Sequence, residues 1–156
     1  MKDLSVRLLF LSILFLCDAC NESAVFQRNE SILNHSWSYS DIPRFDVHVT
    51  DASAHYDIWV NIRHDNDYRY ANLFFLLHEK GPLLSDTSHR YEIKLAELDG
   101  RWTGKSAGSL YVNQLLVKDA YQFPDTGIYH FAIEQNMREN PLRNITDVGI
   151  TVVKKP

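Results

Sequence analysis

Cysteine is scarce in this sequence: there are two, at positions 17 and 20, and none beyond. Residues 21–156 therefore hold no disulfide and no thiolate nucleophile. Glycine (six) and proline (five) are few as well, which excludes a collagen-like, linker-like or low-complexity chain. Positive charge is not in excess. A net charge of -4 and a pI near 5.9 give no basic footprint, so a nucleic-acid partner is not expected. Nor is there an apolar run long enough to cross a bilayer, which takes about 20 residues; the run over residues 8–17 is half that.

What stands at the start is an address. Lys2 and Arg7 precede the apolar run, and Asp18, Ala19 and Cys20 follow it, the pattern of a secretory signal peptide. A small residue directly before a cysteine, with leucines upstream, resembles the lipobox of bacterial lipoproteins. Cys20 is thus the expected lipid attachment point. Cys17 is a poorer candidate because bulky Leu16 precedes it, while Cys17 and Asp18 themselves fit a lipobox badly and leave the processing open. Two or three acyl chains would hold the protein stably on a membrane. Cleavage would remove Cys17 and acylation would consume the Cys20 thiol, so the core alone must hold the domain. Residues 20–156 are enough for one core.

Residues 20–40 are polar, with scattered Val25, Phe26, Ile32, Leu33 and Trp37. They read as a lipidated tether that docks in part on the domain. From Pro43 onward the hydropathy alternates with period two: Phe45, Val47, Val49; Ile58, Val60, Ile62; Tyr91, Ile93, Leu95; Tyr129, Phe131, Ile133; Val148, Ile150, Val152. Residues 73–77, Leu-Phe-Phe-Leu-Leu, are apolar on both phases and predict a central strand covered on both faces. Turn signals separate the runs, at 65–67, 80–82, 99–100 and 124–127. Residues 136–144 are the one place for a short helical turn. The expected layout is a signal peptide over 1–19, a tether over 20–40, and an all-β domain over 41–156. That domain is an antiparallel β-sandwich of about eight strands, jelly-roll or immunoglobulin-like.

Catalytic and metal motifs are missing. No Gly-x-Ser-x-Gly occurs, and Gly104-Lys105-Ser106 lacks the upstream glycine and the context of a phosphate loop. The seven histidines are dispersed without zinc spacing. The run His64-Asp65-Asn66-Asp67 lacks the glycine and glutamate of a calcium loop and reads as a turn. No enzyme, no cofactor and no metal are expected. The sequons at Asn21, Asn29, Asn34 and Asn144 carry little weight in a bacterial lipoprotein.

Three segments carry a resemblance. They are Tyr56-Asp-Ile-Trp-Val-Asn-Ile-Arg63 running into Tyr68-Arg-Tyr70-Ala-Asn72-Leu-Phe74; Asp99-Gly-Arg101-Trp102-Thr-Gly104-Lys105; and Phe123-Pro-Asp-Thr-Gly127-Ile-Tyr129-His-Phe131. The last continues through Gln135-Asn-Met137-Arg138 to Ile145-Thr-Asp147-Val148-Gly149. Together, over roughly residues 35–155, they resemble the gliding-motility lipoprotein H (GldH) family. The resemblance implies a membrane lipoprotein of the cell envelope with no reaction and no cofactor; the expected place is the outer membrane, and the lack of a dense acidic run after Cys20 points to its periplasmic face. Its implied partners are the membrane, through the lipid, and envelope proteins of the gliding or associated secretion apparatus.

Arg63, Asn72, Arg101, Trp102, Lys105, Gln135 and Arg138 lie inside the matched segments, and Tyr68 and Tyr70 beside them. Trp, Tyr and Arg dominate interface hot spots, so segments 68–72, 101–105 and 135–138 are expected to meet on one contact face. Each residue singly also has a structural reading; Trp102, for example, would cap the open end of the sandwich. A second functional reading is glycan binding, with Trp37, Tyr39, Trp59, Tyr68 and Tyr70 as stacking rings. It requires several of those rings exposed and coplanar. A third, a purely structural lipoprotein, requires no coherent patch at all.

Overall fold

Alternation of apolar and polar residues forces each strand to bury one side, and two sheets facing each other bury both sets at once. The computed structural model describes residues 24–156, and there the chain does this. The signal peptide and Cys20 lie outside the described residues. Strands β1 (Ala24–Ser31), β11 (Ile145–Lys154), β4 (Tyr56–Asp65), β8 (Leu110–Tyr121) and β7 (Lys105–Ala107) form one antiparallel sheet, in that order. Strands β3 (Arg44–Val49), β9 (Gly127–Gln135), β5 (Asn72–Gly81) and β6 (Leu84–Lys94) form the other, and β2 (Ser36–Trp37) pairs with β10 (Leu142–Arg143).

Eight strands are six residues or longer. Counted in chain order, the first pairs with the eighth, the second with the seventh, the third with the sixth and the fourth with the fifth. Such nesting is a long hairpin rolled over on itself, and it decides for the jelly roll. The core lies between the sheets. Ile58, Val60, Ile62, Val148, Ile150 and Val152 face Phe45, Val47, Leu73, Phe75, Leu77, Tyr129, Phe131 and Ile133, all buried. Each large side chain buried in this way is worth about 1.5–3 kcal/mol.

Three expectations need correction. Residues 24–31 are a full edge strand paired along β11, not a partly docked tether, and Ile32 and Trp37 after them are buried in the core. An edge strand needs few apolar residues because backbone pairing holds it, so its composition looks like a linker. Strand β5 is central, but it is not doubly covered: Leu73, Phe75 and Leu77 are buried while Phe74 and Leu76 lie half-buried on the outer face. Residues 136–144 form no helix; they are a loop and the short strand β10. The one helical turn in the described residues is a 3-10 turn at Leu33–His35.

The rolled hairpin sorts the connections to two ends. One end carries the loops 38–43, 66–71, 95–104 and 136–141, and is called the loop end. The other carries 50–55, the two-residue turn 82–83, 122–126, the start of β1 and the end of β11; it is called the hairpin end.

Candidate functional site

The connections 66–71, 95–104 and 136–141, which carry most of the three candidate segments, all lie at the loop end: the first two cross between the sheets and the third leads from β9 to β10. Side chains then fix these loops. His64 closes the inward phase of β4 and is fully buried, its ring 4.5 Å from Trp102, 5.4 Å from Tyr68 and 5.5 Å from Tyr111. Its Nδ1 lies 2.9 Å from the Asp65 carbonyl, so Nδ1 carries the proton and Nε2 is a bare lone pair with no partner among the described residues. Burial pushes its pKa below the ordinary 6.5. Trp102 donates from Nε1 to Asn66 (3.1 Å), and the Tyr68 hydroxyl donates to the Asn72 carbonyl (3.0 Å). Backbone bonds from Leu95 and Ala96 to the Ala71 carbonyl join the two loops.

Gln135 does the same for loop 136–141. It is fully buried, donates from Nε2 to the Glu139 carbonyl (3.1 Å) and accepts at Oε1 from the Met137 amide (2.9 Å). The Tyr39 hydroxyl donates to the Met137 carbonyl at 2.6 Å.

Between these fixed loops and the outer face of β5 and β6 lies a cleft of about 330 Å³, lined by Tyr70, Phe74, Arg90, Asn136, Met137, Arg138 and Glu139. Its floor is the Phe74 ring, with the Arg90 guanidinium 4.0 Å above the ring centroid and held by a 2.8 Å bond from Nε to Asn136. At its rim the Tyr70 hydroxyl donates to the Glu139 carboxylate (2.7 Å), which raises the Tyr70 pKa and keeps it a donor. Arg138 stands exposed and makes no ion pair among the described residues. The cleft offers apolar floor and guanidinium together. Chemically it suits an aliphatic or aromatic side chain beside a carboxylate.

The nine sequence candidates therefore divide. Tyr70 and Arg138 line the cleft, and Asn72 lies beside it with its amide on Glu92 (2.7 Å). Arg101 is at the tip of its loop, paired with Asp99 (2.7 Å), and Trp102 packs beneath that loop. Tyr68 and Gln135 are buried supports. Arg63 and Lys105 are elsewhere: both flank Val112 on the five-stranded sheet, Lys105 in a separate shallow groove with Trp59 and Gln114. Phe74, Arg90, Asn136, Met137 and Glu139 were missed. Phe74 sat in a run that looked like pure core, and Arg90 on the polar phase of a strand; only register across β5, β6 and β9 brings them together.

Trp37 and Tyr68 are interior, and Trp59 belongs to the other sheet, so the five rings considered for glycan stacking do not share a surface. Among the described residues no group of three His, Cys, Asp or Glu side chains could hold a metal ion, and the Asp65 carboxylate is occupied by the Asp67 amide (2.9 Å) and the Asn144 side chain (3.0 Å).

Comparison with known proteins settles the family. The family model of the GldH lipoprotein matches residues 24–152, from the first described residue into β11. The chain belongs to the GldH lipoprotein family. It is 32% identical over 153 residues to the "Gliding motility lipoprotein GldH homolog" of Christiangramia forsetii, covering 94% of this chain and 93% of that one. It is 29% identical over 161 residues to the "Gliding motility lipoprotein GldH" of Flavobacterium johnsoniae, covering 99% and 98%. Among solved structures, a family GH115 4-O-methyl-α-glucuronidase aligns with a TM-score of 0.46 at 13% identity, over 86% of this chain and 18% of that enzyme.

Proposed function

We propose that this GldH-family chain is an envelope lipoprotein, anchored through Cys20, that acts as a non-catalytic interaction component of the gliding-motility or associated secretion machinery. The observation that carries the reading is the loop-end cleft: an apolar floor of Phe74 and Met137 with Arg90 and Arg138 above it, set on loops that Gln135, Tyr68 and Trp102 hold rigid. Preorganised loops lose little entropy on binding, and an apolar anchor flanked by arginine is the composition of an interface hot spot. The Tyr70 hydroxyl does meet the Glu139 carboxylate at the rim, but that carboxylate raises the Tyr70 pKa and keeps the phenol protonated, which is why binding rather than turnover is proposed. The partner it fits is an envelope protein presenting an apolar or aromatic side chain next to an acidic one.

The test is site-specific photo-crosslinking in the native cell, with a photoreactive phenylalanine at position 138 and, as a control on the other sheet, at position 63. A discrete envelope-protein adduct from 138, absent from 63 and lost on Met137→Asp, is the expected result. Equal labelling from both positions, or none from 138, overturns the assignment. The anchor is tested separately by palmitate labelling, which Cys20→Ala is expected to abolish.

A further inference from the structure

Four peptide units separate Cys20 from Ala24, the first residue of β1. Fully extended, they reach at most about 14 Å. Ala24 pairs with Val153 and sits at the hairpin end, whereas Ser31 at the far end of β1 pairs with Asp147 next to the loop end. The ten residues of β11 that run between the ends cover about 30 Å at strand rise. An acyl group on Cys20 therefore holds the hairpin end to the membrane and leaves the loop end out of its reach.

The hairpin end is also built unlike an ordinary solvent-facing turn. Gly81 pairs with Leu84 across a two-residue turn, Pro82-Leu83. Leu83 has φ +56, a left-handed conformation that glycine adopts without strain and leucine does not. Its side chain is nonetheless 81% exposed. Ile128 at the start of β9 and Val25 at the start of β1, each 51% exposed, lie at the same end. Charge there is largely neutralised in pairs, Lys154 with Asp51 (2.8 Å) and Lys155 with Asp119 (2.7 Å). The alternative of lying flat on the β1 edge is disfavoured, because that edge presents unpaired backbone groups and polar Gln27, Arg28 and Ser31, which hydrocarbon cannot satisfy.

We propose that the hairpin end rests on the lipid surface, with the exposed Leu83 turn in the interfacial region, and that the Tyr70–Arg138 cleft faces away from the anchoring membrane, about a strand length out. The inference rests on lipid attachment at Cys20, and it makes the short spacing from Cys20 to β1 an orienting device.

The experiment uses the full-length acylated protein in phosphatidylcholine–phosphatidylethanolamine vesicles containing a shallow spin-labelled phosphatidylcholine, with bimane attached to Leu83→Cys or Arg138→Cys. Flotation with the vesicles is measured first. Floating protein whose label at 83 loses most of its emission while the label at 138 keeps it supports the orientation. Inserting a flexible Gly/Ser segment of about twenty residues after Ser23, with an r.m.s. reach of about 25 Å, is then expected to restore the emission at 83 without loss of flotation. Floating protein with equal quenching at both positions, or with 138 the more quenched, overturns the orientation and leaves the anchor standing. Protein that does not float overturns the anchor, and the orientation with it.

Discussion

The two ends of this jelly roll are held by different physics. At the hairpin end the fastening is ionic and aromatic. Glu79, buried at the inward phase of β5, meets Lys118 of the opposite sheet at 2.8 Å, and the Lys118 ammonium lies 4.3 Å over the Tyr121 ring. Phe123 sits among Tyr56, Tyr121 and Tyr129 with centroids 4.5–5.3 Å apart. At the loop end side chains bonded to backbone carbonyls and amides hold the connections: Gln135 to Glu139 and Met137, Tyr68 to Asn72, Tyr39 to Met137. A loop fastened in that way leaves its outer side chains free to form a surface, and at the loop end that surface is a cleft combining an apolar floor with guanidinium groups. The hairpin end is a clamp between sheets; the loop end is a scaffold for recognition.

Breaking the clamp is expected to have the largest effect. Lys118→Ala leaves the Glu79 carboxylate, 3% exposed and with Oε2 unpartnered among the described residues, without its close counter-charge, His89 standing 3.8 Å away. Loss of one partner of a buried pair costs about 3–5 kcal/mol. Denaturant unfolding of Lys118→Ala should show that loss, and Glu79→Leu combined with Lys118→Met should recover most of it. Recovery is the sharper half of the prediction, since it separates an uncompensated charge from lost packing. Cleft binding in the double variant should be unchanged.

Breaking the scaffold comes next. Gln135→Ala removes the donor to the Glu139 carbonyl and the acceptor of the Met137 amide at a fully buried position. The expected loss is about 1–3 kcal/mol in global stability. The crosslink from position 138 should fall away even where the folded fraction is restored by lower temperature. An intact crosslink in a folded Gln135→Ala protein would show that the loop does not need this support.

How much of this was legible in the sequence follows from the same contrast. Strands β3 and β9 were readable because one face is core and the other largely water, so Phe45-Val47-Val49 or Tyr129-Phe131-Ile133 alternate cleanly; β4 and β11 are covered on their outer face too, but polar Asn61 and Thr151 there keep the alternation. Strand β8 is not legible in the sequence: bulges opposite Ile58 break its phase, and most of its residues are half-buried on both sides. Strand β1 was hidden by its edge position. The candidate segments stand out by family spacing, but which residues face the cleft does not. Gln135 and Tyr68 look like contact residues in sequence, and burial alone reveals them as supports. Arg90 and Phe74 look like a strand surface and a core, and cross-strand register alone makes them neighbours.

The smallest expected effect is a pH dependence confined to one end. His64 is caged by Trp102, Tyr68 and Tyr111, with Nε2 unpartnered and burial holding its pKa below 6.5. Above pH 6.5 the ring is neutral in both the folded and the unfolded chain, and stability does not depend on it. Between 6.5 and the depressed folded value the unfolded chain binds a proton that the folded chain refuses, so stability falls as pH falls across that window and levels off beneath it. Amide exchange should show the loss at Tyr68 and at Leu95 and Ala96, whose amides donate to the Ala71 carbonyl near the cage, more than at Tyr56 near the clamp. In His64→Phe, which fills the cage with an uncharged ring, the slope should vanish and the contrast between the ends with it. A slope of the same size in His64→Phe would assign the acid sensitivity to other histidines, and would make the cage a packing element with no part in how the loop end responds to pH.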